Sequence, residues 1–130
     1  MTGRGWSVHA WRAWSQAFAS AHDGHVTHHG TEEGLLRHLS TDTRTLTHPN
    51  ESIFFALVGP WHDGHDHLAE AHAAGVRRWV VSKPPRESDP WAQDSDVLVV
   101  PNVMAALQHA ARTQRDAVSY THLRAHETTD

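Results

Sequence analysis

Three short runs in this chain are continuously apolar and β-prone: 53–58 (IFFALV), 79–81 (WVV) and 97–100 (VLVV). A strand with no polar face is covered on both sides, as in a parallel sheet packed between helices. The segments around the runs agree. Residues 66–74 read as a helix stopped by Gly75. Asn102 is placed to cap a helix from Val103 to about Gln114, with Val103, Ala106, Leu107, Ala110 and Ala111 as its inner face. Ser7 is placed to cap a first helix ending near Ala21, with Val8, Trp11, Trp14 or Ser15, and Phe18 on one side. Asp23-Gly24 ends it. Residues 25–29 read as a short strand, 30–34 as a turn, 35–41 as extended and Pro49-Asn50 as a turn. With three prolines, 83–95 reads as a surface loop. The expected fold class is α/β: a single domain with a mainly parallel or mixed sheet flanked by helices and joined by right-handed crossovers.

Composition narrows the function. A chain of 130 residues, 38% hydrophobic and 20% charged, is long enough for one domain with a true core. A net charge of -4 argues against nucleic acid or an anionic membrane as partner. No cysteine is present, so disulfide and thiolate chemistry are excluded. No apolar run approaches the roughly 18 residues of a membrane span. The first residues carry Arg12, Ser15 and Gln16 and do not read as a secretion signal, so a cytoplasmic location is expected.

The chemistry concentrates in 40–75. The triplet Asp42, Thr43, Arg44 precedes the first apolar run, and a turn with Gly59, Asp63, Gly64 and His65 follows it. A diphosphate needs N–H donors and a guanidinium. Thr43 offers a hydroxyl and its amide, and Arg44 a fork of donors. Asp42 is suited to holding Arg44 or a turn amide, since it would repel a phosphate. Gly59 and Gly64 allow a close backbone approach, and His65 can donate to a ribose or phosphate oxygen. Trp61, beside them, can stack on a base. Taken singly, each piece is generic: a capped turn with a surface arginine, and an Asp-Gly turn pair.

The order of these pieces resembles the N-terminal domain of the Mur ligases. Members show an Asp-hydroxyl-Arg triplet, matched by Asp42-Thr43-Arg44. An F-x-A-L-x-G strand follows, matched by Phe54 or Phe55, Ala56, Leu57 and Gly59. Next come an acidic-Gly-His turn, matched by Asp63-Gly64-His65, and a helix ending in glycine, matched by 71–75. A later A-L-x-x-x-A helix is matched by Ala106, Leu107 and Ala110 or Ala111. The wording FFALVGPWHDGH and GVRRWVVSK is most similar to the type that adds D-alanyl-D-alanine, and to a subgroup fused to an alanine racemase. The resemblance implies that 1–116 binds the UDP end of a UDP-N-acetylmuramoyl-peptide, with Asp42, Thr43, Arg44, Gly59, Asp63, Gly64 and His65 as substrate-binding residues and none catalytic. It implies no cofactor or metal in this chain, with ATP and Mg in a central domain beyond it. Lys83, the only lysine, sits in Ser-Lys-Pro and not in a phosphate-binding loop. Residues 117–130 resemble translated adapter sequence and are expected to be a non-native or disordered tail that packs little.

Two other readings stay open. One is a stand-alone α/β binding module. The other is a metal-dependent hydrolase built on His62, His65 and His67 with Asp63 and Asp66. The string HDGHDH approaches an H-x-H-x-D-H metal motif, but Gly64 stands where the second ligand belongs. With fourteen histidines among ten arginines, solvated side chains explain most of the cluster.

Overall fold

The computed structural model describes residues 6–113 and 119–120. The chain opens with β1 (Trp6–Ser7), α1 (Val8–Ala21), β2 (His25–His28), β3 (Leu35–Leu36), β4 (His38–Ser40) and β5 (Ser52–Phe55). A small ribbon, β6 (Val58–Gly59) and β7 (His62–Asp63), precedes α2 (Leu68–Ala74). Then follow β8 (Arg78–Val81), α3 (Pro90–Gln93), β9 (Asp96–Val99), α4 (Val103–Thr113) and β10 (Ser119–Tyr120). Strands β4, β5, β8 and β9 run parallel, side by side in that order. Strand β2 closes the far side antiparallel to β9, and β10 pairs parallel to β4. The fold is α/β, as expected.

Alternation along the central strands builds the layers. Ile53, Phe55, Val80 and Leu98 face a core shared with α1 and α4, where Trp11, Phe18, Ala106 and Leu107 are buried. Phe54, Trp79, Val81, Val97 and Val99 face the other side, against Leu68 and Ala71 of α2 and Trp91 of α3. Each fully buried side chain of this kind stabilises the fold by roughly 1.5–3 kcal/mol. Both faces are therefore filled, which is why the runs contain no polar residue.

Helix ends follow the sequence closely. The Ser7 hydroxyl accepts from the Ala10 amide, and Asn102 Oδ1 from the Ala105 amide. Asp23 takes φ 58 after α1, and Gly75 takes φ 128 after α2, the left-handed region where glycine is least strained. All five predicted inner-face residues of α4 are buried.

Four details differ from the sequence reading. The strand expected over 53–58 ends at Phe55. Leu57 N turns back to Phe55 O at 3.0 Å, and Val58 is 59% exposed in the ribbon, which reverses at Pro60-Trp61. Proline has no N–H to extend the sheet. The segment 35–41 divides into β3 and β4 where the Arg37 amide leaves to donate to Glu51 O at 2.8 Å. The helix expected from 66 starts as a 3-10 turn (Gly64–His67), with α2 beginning at Leu68. The loop over 83–95 contains α3, started by Pro90 in its first turn and anchored by Trp91 against Trp79, ring centroids 5.4 Å apart.

At the N-terminal end of β8 and β9, Asp96 is fully buried and collects three donors. Arg12 Nε and Nη2 reach it at 3.0 and 3.1 Å, and the Gly30 amide at 2.9 Å. Arg78 Nε, also buried, stands 3.4 Å away. This network ties α1 and the segment after β2 to the central strands.

Burial holds three histidines below their ordinary pKa: His28 near Arg12 and Arg78, His38 beside His48, and His109 beside Arg112. The carboxylate of Asp96 opposes the shift at His28, and that of Glu51 opposes it at His38. The unfolded chain therefore binds more protons below about pH 6.5, so stability should fall as pH drops from there. Urea midpoints at pH 7.5 and 5.5 check this. An unchanged or higher midpoint at pH 5.5 would contradict it.

Among the described residues, no helix is long and apolar enough to cross a membrane. Of the tail at 117–130, only the backbone of β10 is described, paired with His38 and Leu39. The remainder of that expectation lies outside the described residues.

Candidate functional site

Parallel neighbours deliver their C-terminal ends to one edge of the sheet, where open α/β folds bind ligands. Here the four connections are the Asp42 segment after β4, the ribbon and Gly64 turn after β5, Ser82-Lys83 after β8, and 100–102 after β9. A cleft of about 170 Å³ at this edge is lined by 56–58, Ser82 and 101–104.

Asp63, His65 and Lys83 form one bonded unit beside it. Asp63 Oδ1 accepts from the His65 amide at 2.9 Å and meets the His65 ring Nδ1 at 2.7 Å. His65 Nε2 faces two donors, the amides of Ser82 at 3.1 Å and Lys83 at 3.3 Å. It must accept from both, so the ring proton sits on Nδ1 and is donated to Asp63. The other Asp63 oxygen accepts from the Lys83 ammonium. That bond, with the His65 amide assisting against partial burial, holds the Asp63 carboxyl well below the usual carboxylate range. His65 is almost enclosed, with its side chain 7% exposed, while Lys83 stands 61% exposed.

Asp42 and Arg44 are closed on each other. Asp42 Oδ1 caps the 3-10 turn Thr43–Thr45 by accepting from the Arg44 amide at 2.8 Å. The Arg44 guanidinium doubles back as a fork, Nε at 3.0 Å and Nη2 at 2.6 Å from Asp42 Oδ2. It remains 86% exposed, and Thr43 is half-buried. Asp42 thus plays the holding role expected of it.

The two glycines differ. A Cβ on Gly64 would lie 2.9 Å from both Ala56 Cα and Leu57 N. Gly64 is buried and donates its N–H to Leu57 O at 2.7 Å, so its small size serves the chain's own packing. A Cβ on Gly59 would meet only His62 O, at 3.9 Å.

The sequence reading missed Lys83 and Ser82 as members of the site. The one available signal was that Lys83 is the sole lysine. None of the seven predicted residues lines the cleft itself. Asp63 and His65 border it through their bonds to Lys83 and Ser82, and Asp42, Thr43 and Arg44 follow the strand beyond.

His62 and His67 stack with ring centroids 5.6 Å apart, and His67 Nδ1 lies 3.4 Å from Glu70. Both ring nitrogens of His65 are engaged inside the protein. Among the described residues, no three His, Cys, Asp or Glu side chains are grouped to hold a metal ion. Trp61, at the ribbon tip, is 95% exposed.

A larger cleft of about 390 Å³ lies between the end of α1 and the start of α4, sharing Pro101 and Asn102. Its walls include Asp23 and the carbonyl end of α1, which disfavour an anion. Both clefts border the N-terminal end of α4, and the smaller one adds Ser82, next to Lys83. In comparisons with protein-family models and with curated proteins, the chain matches none.

Proposed function

We propose that this chain binds the UDP moiety of a UDP-N-acetylmuramoyl-peptide, as the first domain of a cytoplasmic, ATP-dependent Mur-type amide ligase adding D-Ala-D-Ala in peptidoglycan synthesis. The observation that carries the reading is the meeting of ordered motifs at one sheet edge. The Asp-Thr-Arg triplet follows β4, the Ala-Leu-x-Gly and Asp-Gly-His segments follow β5, and a cleft opens where β5, β8 and β9 end. Arg44, Lys83 and the start of α4 supply positive character there. Val58, Met104 and Trp61, the large apolar side chains most exposed among the described residues, belong to the cleft wall or to the ribbon beside it. An anion with a planar ring suits such surroundings.

Amide-bond formation belongs to later domains of the parent enzyme. They would supply ATP, Mg and the acceptor site, and this chain would act by holding the nucleotide end of the substrate. The metal-hydrolase alternative loses support because His65 already serves Asp63, Ser82 and Lys83. The stand-alone binding module is separated by sequencing the native locus downstream of Asp116. An in-frame strand, glycine-rich loop and helix with Gly-Lys-Thr supports the ligase; a stop codon without such a segment overturns it.

A further inference from the structure

Asp63, His65 and Lys83 are built as one support, and the support presents an ammonium beside the cleft. Asp63 is paired across the ribbon with Val58, so their side chains share a face. Val58 lines the cleft, as does Ser82. The Asp63–Lys83 pair therefore stands on the cleft side of the ribbon. His65 fixes the geometry from beneath: its Nε2 holds the Ser82 and Lys83 amides while its Nδ1–H holds Asp63.

We infer that Lys83 is the phosphate anchor of this site, with Asp63 and His65 as positioning residues that do not touch the ligand. This deepens the nucleotide-binding reading above and rests on it. An ammonium has three N–H donors and only one is committed to Asp63, leaving two for phosphate oxygens. Holding Lys83 in advance reduces the ordering cost of binding, because a long side chain otherwise loses rotamer freedom. Asp63 keeps the ammonium aimed but also repels phosphate, so the anchor is tuned for a ligand of more than one negative charge. Arg44 also keeps donors beyond its fork to Asp42, but it follows β4, two strands away from β8, whereas Lys83 directly follows Ser82 in the cleft wall.

Calorimetric titration of the full 130-residue chain with UDP and with uridine tests the assignment. Lys83→Ala should weaken UDP about tenfold and leave uridine unchanged, and Lys83→Arg should retain most of the UDP affinity. His65→Ala should weaken UDP while sparing uridine, and His65→Gln, whose carbonyl can accept from the two amides, should restore part of it. Wild type binding UDP with Lys83→Ala binding it equally well overturns the anchor and leaves the nucleotide reading standing. Equal losses of UDP and uridine in Lys83→Ala also overturn it. A wild-type chain that binds neither overturns both.

Discussion

Asp96→Ala should destabilise the chain by about 3–5 kcal/mol, because it leaves the buried Arg78 guanidinium without its carboxylate. Asp96 is fully enclosed and Arg78 only 4% exposed, so water cannot replace the lost partner. The Gly30 amide and two Arg12 donors lose their acceptor as well. Urea unfolding, read as a midpoint shift at constant slope, measures the loss. The same logic predicts that Asp96→Ala combined with Arg78→Met recovers part of the deficit, since the fully buried guanidinium is then gone and Arg12, 19% exposed, keeps Glu32 at 3.8 Å. A single-variant loss below about 1 kcal/mol would show that the network tolerates an uncompensated charge.

The second large effect is expected at Gly64. A Cβ there meets the Ala56–Leu57 backbone at 2.9 Å, and backbone cannot swing aside as a side-chain tip can. Gly64→Ala should cost about 1–3 kcal/mol through forced displacement. It should also disturb the Asp63–His65–Lys83 unit, because Gly64 lies between two of its members. Gly59→Ala is the control. Its Cβ would enter open space, and its stability should stay within about 0.5 kcal/mol of the parent. Comparable losses in both variants would contradict the distinction between a packed and an open glycine.

The fold was legible where burial dictates residue type. The three apolar runs, the Ser7 and Asn102 caps and the Gly75 stop each reflect a local constraint, and each lies where the sequence places it to within a few residues. Strand ends were less legible, because Val58 is as β-prone as Ile53 yet lies beyond the turn made by Leu57. Helix α3 was hidden by the three prolines of its segment, although Asp89-Pro90 is a helix-start pair and Trp91 supplies the apolar anchor. The Arg12–Asp96–Arg78 network joins residues up to 84 positions apart. No local pattern carries such a contact.

The site was half legible. Asp42 capping the turn and holding Arg44 follows from adjacent residue types, and the structure has that bond. The role of His65 did not follow. Its partners Ser82 and Lys83 lie 17 and 18 residues away, at the end of a neighbouring parallel strand. Sequence order suggests a ligand contact for His65 but carries nothing of its bonds to Asp63, Ser82 and Lys83, which bracket two loops. Lys83, the sole lysine and outside any phosphate-binding loop by its neighbours, is brought to Asp63 only by the sheet.

The decisive question is whether the C-terminal edge of the sheet receives a UDP-linked precursor. Amide shifts of the isotope-labelled chain, followed during titration with UDP-N-acetylmuramoyl-peptide, measure this directly. The expected result is saturable shifts at 42–44, 56–58, 63–65, 82–83 and 102–104, with the far edge around Gly30 and Asp96 unmoved. An absence of shifts at that edge up to millimolar ligand would contradict the account, as would shifts around His62 and His67 that need added zinc and ignore the nucleotide.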